Sequence, residues 1–158
     1  MMENIVINQA SIDDYFEIVN EFKENFETIP ENQIFKKNPP YFMGENEYKN
    51  YIIDNNTFFR VARLKNNFVG FIIGCIEEHR ENEYRKYAKV ASLYNININK
   101  KYRRKRIGTI LLRSFEEWAI NKKCNRIEFF VWDYNQSAIM FYRNMGYSNQ
   151  KVTLNKLI

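Results

Sequence analysis

The sequence predicts an α+β (mixed α/β) domain in which one central, mostly antiparallel sheet of six to seven strands is flanked by about four helices. Two observations carry most of that expectation. Residues 58–64 and 68–76 are rich in β-branched and aromatic side chains and are joined by the polar Lys65, Asn66 and Asn67, which is the pattern of an antiparallel hairpin. Residues 107–119 instead space their apolar side chains at a helical period. The remaining segments mix both periods around what must be a single sheet.

Taken in order, residues 4–8 alternate as a short strand, and Ser11 with Asp14 three positions later reads as the start of a helix. That helix puts Tyr15, Ile18, Val19, Phe22 and Phe26 on one face and ends near residues 28–30. From residue 30 to 45 the pattern dissolves: Pro39 and Pro40 force extended backbone, and Gly44 allows a turn before a short helix through Tyr48, Tyr51 and Ile52. Residues 68–76 are almost all apolar, as in a central strand covered on both faces. A charged connection, residues 77–87, leads to a strand at 90–98 that ends in the alternation Asn95-Ile96-Asn97-Ile98.

A helix follows, with Ile107, Ile110, Leu111, Phe115, Trp118 and Ala119 on its buried face and Arg113, Glu116 and Glu117 toward solvent. Residues 127–132 read as a strand, 137–145 as a short helix closed by Gly146, and 147 onward as a terminal strand pair. The expected organisation is one domain over residues 1–158, a length sufficient for a full hydrophobic core.

Composition narrows the function. With 45% hydrophobic and 16% aromatic residues the chain is far from the disordered class. A formal charge of +5 is modest for a dedicated nucleic-acid binder, and the basic residues form one cluster without a groove of repeated aromatics. Cys75 and Cys124 are isolated, which fits neither a disulfide framework nor a metal knuckle, and His79 is the single histidine, so no metal site is expected. No secretory leader or membrane-length apolar run is visible; the expectation is a cytoplasmic protein with no membrane or nucleic-acid partner.

The cluster itself is Lys100, Lys101, Arg103, Arg104, Lys105 and Arg106, directly before a helix and within its first turn. Cations are unfavourable there, because the helix N-terminus already carries about half a positive charge. The first-turn amides lack helical partners, so together with these cations they make a site for phosphate, and Gly108 would let a bulky anion approach the backbone. A solvated basic loop is the plain alternative.

The strand, loop and helix from Asn95 to Gly108 resemble the acetyl-coenzyme A motif of the GCN5-related N-acetyltransferase (GNAT) family, Arg or Gln, two residues, Gly, one residue, Gly or Ala, mapped onto Arg103, Arg106 and Gly108. The resemblance implies that Arg103, Arg104, Lys105, Arg106, Ile107, Gly108 and Thr109 bind the cofactor, with backbone amides on its pyrophosphate. Arg106 stands where the family has its first Gly; the expectation is that the backbone there is already helical and accepts Arg without strain.

By the same resemblance the strand ending at Ile98 splays from its neighbour, and the amides of Ile96 and Ile98 run along the pantetheine arm, the first near the thioester carbonyl. A second motif runs from Asn135 to Tyr147 and matches the family's Asn-x-x-Ala-x-x-Phe-Tyr-x-x-x-Gly-Phe. It implies that Tyr142 is the general acid for the departing thiolate and Asn135 a polar contact to the cofactor, although Ala138, Phe141, Tyr142 and Met145 share a face as any core helix would.

The implied reaction is direct attack by a neutral amine on the thioester of acetyl-CoA. Many members carry a carboxylate base on the strand that holds Ile96; Ala91-Ser92-Leu93-Tyr94-Asn95 has none, which leaves Glu77, Glu78, Asp133 or a water chain. The acceptor, a small-molecule or peptide amine, is expected between residues 30–51 and 77–87. The missing carboxylate and Arg106 also admit a catalytically silent acyl-CoA-binding sensor, and a basic nucleic-acid-binding module is the weaker alternative. For assembly the resemblance implies a homodimer.

Overall fold

The structure, a computed structural model, describes residues 4–30, 42–154 and 156. The paired prolines Pro39 and Pro40 therefore lie outside the described residues. The chain divides into two compact units, Met1–Glu128 and Phe129–Ile158.

The first unit contains β1 (Ile5–Gln9), a single 3-10 turn at Ile12–Asp14, α1 (Tyr15–Phe26), α2 (Glu45–Ile53), β2 (Thr57–Leu64), β3 (Asn67–His79), β4 (Ala88–Ile98), a second 3-10 turn at Lys100–Tyr102, α3 (Ile107–Asn121) and β5 (Arg126–Glu128). Its sheet runs β1-β2-β3-β4-β5 and is antiparallel except for the last pair, β4 with β5. The β2–β3 hairpin turns on Lys65 and Asn66, with φ of 50° and 64°; left-handed backbone at both positions matches the right-handed twist of the flanking strands.

Strand alternation sorts the two faces of the sheet. Phe58 points to α3 and meets Phe115 at 5.6 Å and Trp118 at 5.3 Å between ring centroids, whereas Phe59 points to α2 and meets Tyr48 at 5.2 Å. The α1 and α2 face buries Ile18, Met43, Tyr48, Phe59, Phe71 and Ile73 together. On the other face α3 buries Ile107, Leu111, Leu112, Phe115 and Ala119; Leu112 takes the place expected for Ile110, which is 38% exposed. At the entry to α1, Asp14 accepts from the Ser11 amide (2.7 Å) and hydroxyl (2.8 Å) and pairs with Arg63 of β2 (2.6 Å). Burial opposes ionisation of Asp14, but the Arg63 and Ser11 bonds outweigh it and hold the carboxyl below its usual range.

In the second unit, α4 (Gln136–Asn144) is capped by Asn135 and closed by Gly146 at φ 93°. Phe129, Tyr142 and Tyr147 pack their rings together, with centroids 4.4 to 6.0 Å apart.

The mixed fold and its four α-helices are as expected, but the sheet has five strands among the described residues, not six to seven. The segment expected at 127–132 pairs only as Arg126–Glu128, and residues 147–154 form no strand. The β-forming side chains there gain little from pairing: Phe130 is 80% exposed and Leu154 90%. Strand propensity expresses fit to a half-buried pleated surface, and these positions have none.

Candidate active site

The site in the first unit begins with an irregularity in β4. Ile73 of β3 pairs with Asn95 and Gly74 with Leu93, so β4 carries one extra residue, Tyr94, as a bulge. Gly74 makes this possible. A Cβ there would lie 2.5 Å from the Ser92 carbonyl oxygen and 2.7 Å from the Phe115 ring, so only glycine admits both the bulged strand and α3.

Beyond the bulge β4 is paired on one edge by β3, while its pairing with β5 ends at Ser92↔Glu128. The Asn99 amide donates to the Val69 carbonyl of β3 at 3.0 Å. Because successive residues of a strand direct their backbone groups to opposite edges, the amides of Ile96 and Ile98 point to the other edge, past the end of β5. The Ile98 carbonyl confirms the alternation, since it accepts from the Arg103 guanidinium Nε at 3.0 Å.

The loop between β4 and α3 winds the basic residues around a helix start with no cap of its own. Arg104 and Arg106 have φ of 63° and 62°, with Arg106 as N-cap residue of α3. This corrects the expectation of a helical, unstrained Arg106: the chain holds left-handed backbone where the family motif has glycine. The reason is geometric, since the loop must reverse direction to enter α3. An L side chain in that region costs about 1–2 kcal/mol. The α3 N-terminus has no side-chain cap bond and no acidic residue in its first turn. Its amides at Ile107, Gly108 and Thr109 precede the first helical bond, Ile110 N–H to the Arg106 carbonyl at 3.0 Å. Alternating φ sign before a helix start is also the geometry of an anion-binding nest.

Not all the cations face this turn. Arg103 folds back onto β4 and α1, donating to Ile98 and, at 2.5 Å, to the Asn25 side-chain oxygen. Asn25 in turn donates to Glu21 at 2.7 Å, and Asn99 donates to the other Glu21 oxygen at 2.8 Å. Glu21 is only 4% exposed, and these two amides give each of its carboxyl oxygens a partner. Arg103 thus fastens the loop to α1, a role the motif alone did not reveal. Lys105 stacks over Tyr102, 5.7 Å from the ring centroid, while Arg104 and Arg106 make no ion pair among the described residues.

On the α1 and α2 face of the bulge lies a cavity of about 210 Å³, lined by Phe22, Phe42, Met43, Glu47, Tyr51, Ile73, Tyr94 and Asn95. The bulge turns both Tyr94 and Asn95 into it. The acceptor was expected between residues 30–51 and 77–87; the cavity takes Phe42, Met43, Glu47 and Tyr51 from the first stretch, of which 31–41 lies outside the described residues, and no residue from the second. The Tyr94 hydroxyl contacts the Cys75 sulfur at 2.6 Å and donates a long hydrogen bond to Glu77 at 3.4 Å. Burial foremost, with Cys75 and Glu77 adding to it, pushes the Tyr94 hydroxyl well above its usual pKa; burial also raises Tyr51 and the Cys75 thiol.

Two of the sequence's candidate bases separate here. Ile73, Cys75 and Glu77 share one face of β3, the cavity face, whereas Glu78 lies on the opposite face beside Lys89 at 3.8 Å. Glu47 had no motif to mark it and is visible only in the fold.

Tyr142, Asn135 and Asp133 lie in the second unit. Burial pushes the Tyr142 hydroxyl up to about 12. Asn135 accepts from the Ala138 amide and the Ser137 hydroxyl, both at 3.2 Å, so its side-chain oxygen caps α4. The Asp133 carbonyl accepts from the Gln136 side chain at 2.5 Å.

Comparison with known proteins bears on the fold and the family. A protein of Bacillus subtilis (strain 168), YdhI, described as uncharacterized, is 32% identical over 123 residues, which is 75% of this chain and 72% of that protein. The fold is shared with a mutant of the BH1408 protein from Bacillus halodurans, with a TM-score of 0.90 at 17% identity over 97% of this chain and 99% of that one. It is also shared with an aminoglycoside acetyltransferase from an uncultured soil metagenomic sample, solved with trehalose, with a TM-score of 0.73 at 18% identity over 98% and 96%. An aminoglycoside N-acetyltransferase solved with CoA, AAC(6')-Iy, has a TM-score of 0.74 at 13% identity over 98% and 95%. The model of the acetyltransferase (GNAT) family matches residues 13–147, and the chain belongs to that family.

Proposed function

We propose that this protein transfers an acetyl group from acetyl-CoA to a primary amine. The observation that carries the reading is the start of α3: an uncapped helix N-terminus without a first-turn acid, entered through a left-handed Arg106 that follows Arg104 and Lys105 in the chain. Such a turn is electrostatically incomplete until it receives an anion. A pyrophosphate fits it, held by the amides of Ile107, Gly108 and Thr109 and by Arg104, Lys105 and Arg106. Acetyl-CoA supplies the activated acyl group; the amides of Ile96 and Ile98 suit its pantetheine arm.

The remaining chemistry falls to the chain's own residues. The Ile96 amide is a fixed donor for charge developing on the carbonyl oxygen, worth about 3 kcal/mol where such donors have been removed elsewhere. As the amine nitrogen bonds to the carbonyl carbon and the carbon–sulfur bond breaks, the nitrogen gives up a proton and the sulfur takes one. Glu77 receives the amine's proton through Tyr94, whose hydroxyl donates toward Glu77 at 3.4 Å. Tyr142 is the donor to sulfur, and burial keeps its proton in place throughout the neutral range.

Thermal unfolding and free-thiol release test this together. Acetyl-CoA at about 100 times its dissociation constant should stabilise the chain by about 2.7 kcal/mol, a rise in Tm of several degrees. Tyr142→Phe should lower kcat by about 100-fold with that rise preserved. No rise with acetyl-CoA would defeat the proposal; a rise without turnover on any amine would identify an acyl-CoA sensor.

A further inference from the structure

The side chains that join α1 to the loop before α3 form a network with a fixed direction. A guanidinium can only donate, so Arg103 holds the Asn25 side-chain oxygen toward itself at 2.5 Å and turns the Asn25 amide nitrogen to Glu21 at 2.7 Å. The Lys101 backbone amide acts on Asn99 in the same way. It donates to the Asn99 side-chain oxygen at 3.1 Å, which leaves the Asn99 amide nitrogen for the second Glu21 oxygen at 2.8 Å. Both series of donors end on Glu21, which is buried. Only a carboxylate accepts on both of its terminal atoms; a glutamine would present an NH2 group to one of the two amides. Neither asparagine can flip to meet that group without turning its own NH2 onto Arg103 or onto the Lys101 N–H.

This network touches the loop at both ends. Asn99 follows the last residue of β4, and its backbone amide is tied to Val69 of β3 at 3.0 Å. Arg103 directly precedes Arg104, the first of the two left-handed residues before α3. Glu21 and Asn25, one helical turn apart on α1, therefore pin residues 99 and 103 at once. Left-handed backbone at an arginine persists where surrounding structure over-determines it, and this pinning supplies such a constraint at the entry to the turn. Two of the Arg103 donors, Nε and one Nη, are already committed within the frame, to Ile98 and to Asn25.

We infer that Glu21 is a positioning residue for acetyl-CoA: through Asn25, Asn99 and Arg103 it holds the turn at Arg104 and Arg106 in the shape that receives the pyrophosphate, and Arg103 acts inside this frame, not on the phosphates. This rests on the reading of the α3 turn as the pyrophosphate site. The inference has a sign that charge alone does not give. Removing a carboxylate near a cationic loop favours an anionic ligand, whereas loss of the frame weakens it. The pantetheine arm offers an internal reference, because Ile98 is also held by its pairing with Gly70 of β3.

The experiment is calorimetric titration of acetyl-CoA and of acetyl-pantetheine, which has the arm without the phosphates, on the unmodified protein, Glu21→Gln, Asn25→Ala and the double variant Glu21→Gln with Arg103→Met. Each single variant should lower acetyl-CoA affinity by about tenfold, the scale of one lost hydrogen bond to a charged group, and leave acetyl-pantetheine in place. A role in stability alone would lower Tm and leave the ratio of the two affinities where it was. Arg103→Met should add no further loss once Glu21→Gln has broken the frame. Unchanged or tighter acetyl-CoA binding in either single variant overturns the inference. So does a further loss of about tenfold in the double variant, which would put Arg103 on the phosphates. If Glu21→Gln does not fold, Asn25→Ala carries the test, since Asn25 is only partly buried and alanine is a strong helix former. Equal affinity of the unmodified protein for the two ligands would instead remove the pyrophosphate reading on which the inference stands.

Discussion

Arg106 shows how one residue can be informative by being misplaced. Its left-handed backbone would cost a glycine nothing, yet an arginine stands there at φ 62°. Strain of this kind persists where surrounding structure over-determines it, and it concentrates at ligand sites. Arg106→Gly should therefore stabilise the unliganded protein by about 1 kcal/mol, a rise in Tm of about 2–4 °C, while weakening acetyl-CoA through the lost charge. Thermal unfolding with and without acetyl-CoA separates the two effects. A fall in unliganded Tm would mean that the side chain, not the backbone, governs the turn. At this scale the sequence marked Arg106 as a departure from the motif but not the sign of its φ, because the reversal into α3 depends on where β4 ends. Glu47 was illegible for a similar reason: an exposed glutamate on a short helix has no signature, and its place in the lining of the cavity appears only in the fold.

Among the elements, β4 does the most to define the site. Its bulge at Tyr94 turns two consecutive side chains into the cavity, and its length beyond Glu128 of β5 leaves the Ile96 and Ile98 amides on the other edge. Gly74 is what tolerates this course. Gly74→Ala should cost about 2–3 kcal/mol, because the clash falls on the Ser92 backbone and a buried ring, neither of which can swing away. Thermal unfolding of the variant checks it, and an unchanged Tm would mean that the bulge does not depend on this close approach. The hairpin and the periods of α1, α3 and α4 were legible, since each follows from a turn or an apolar repeat within a few residues. The bulge and the short β5 were not, because both depend on pairing with a partner distant in sequence.

For the whole molecule, two compact units carry the two halves of the motif evidence, the α3 turn and β4 in Met1–Glu128 and Tyr142 in Phe129–Ile158. The family match spans both, from residue 13 to 147. Among the described residues no helix is long and apolar enough to cross a membrane. Family membership was legible from two short motifs; the cavity at the bulge was not, because it gathers α1, α2, β3, β4 and residues 42 and 43, which no local pattern connects.

The central claim is that the α3 turn receives the pyrophosphate of acetyl-CoA, and calorimetric titration of acetyl-CoA against acetyl-pantetheine tests it most directly. The second ligand keeps the thioester and the arm but lacks the phosphates. Saturable acetyl-CoA binding should exceed that of acetyl-pantetheine by about 100-fold, the equivalent of about 2.8 kcal/mol, and should weaken as salt rises. Equal affinity for the two, or no binding of acetyl-CoA, would contradict the account.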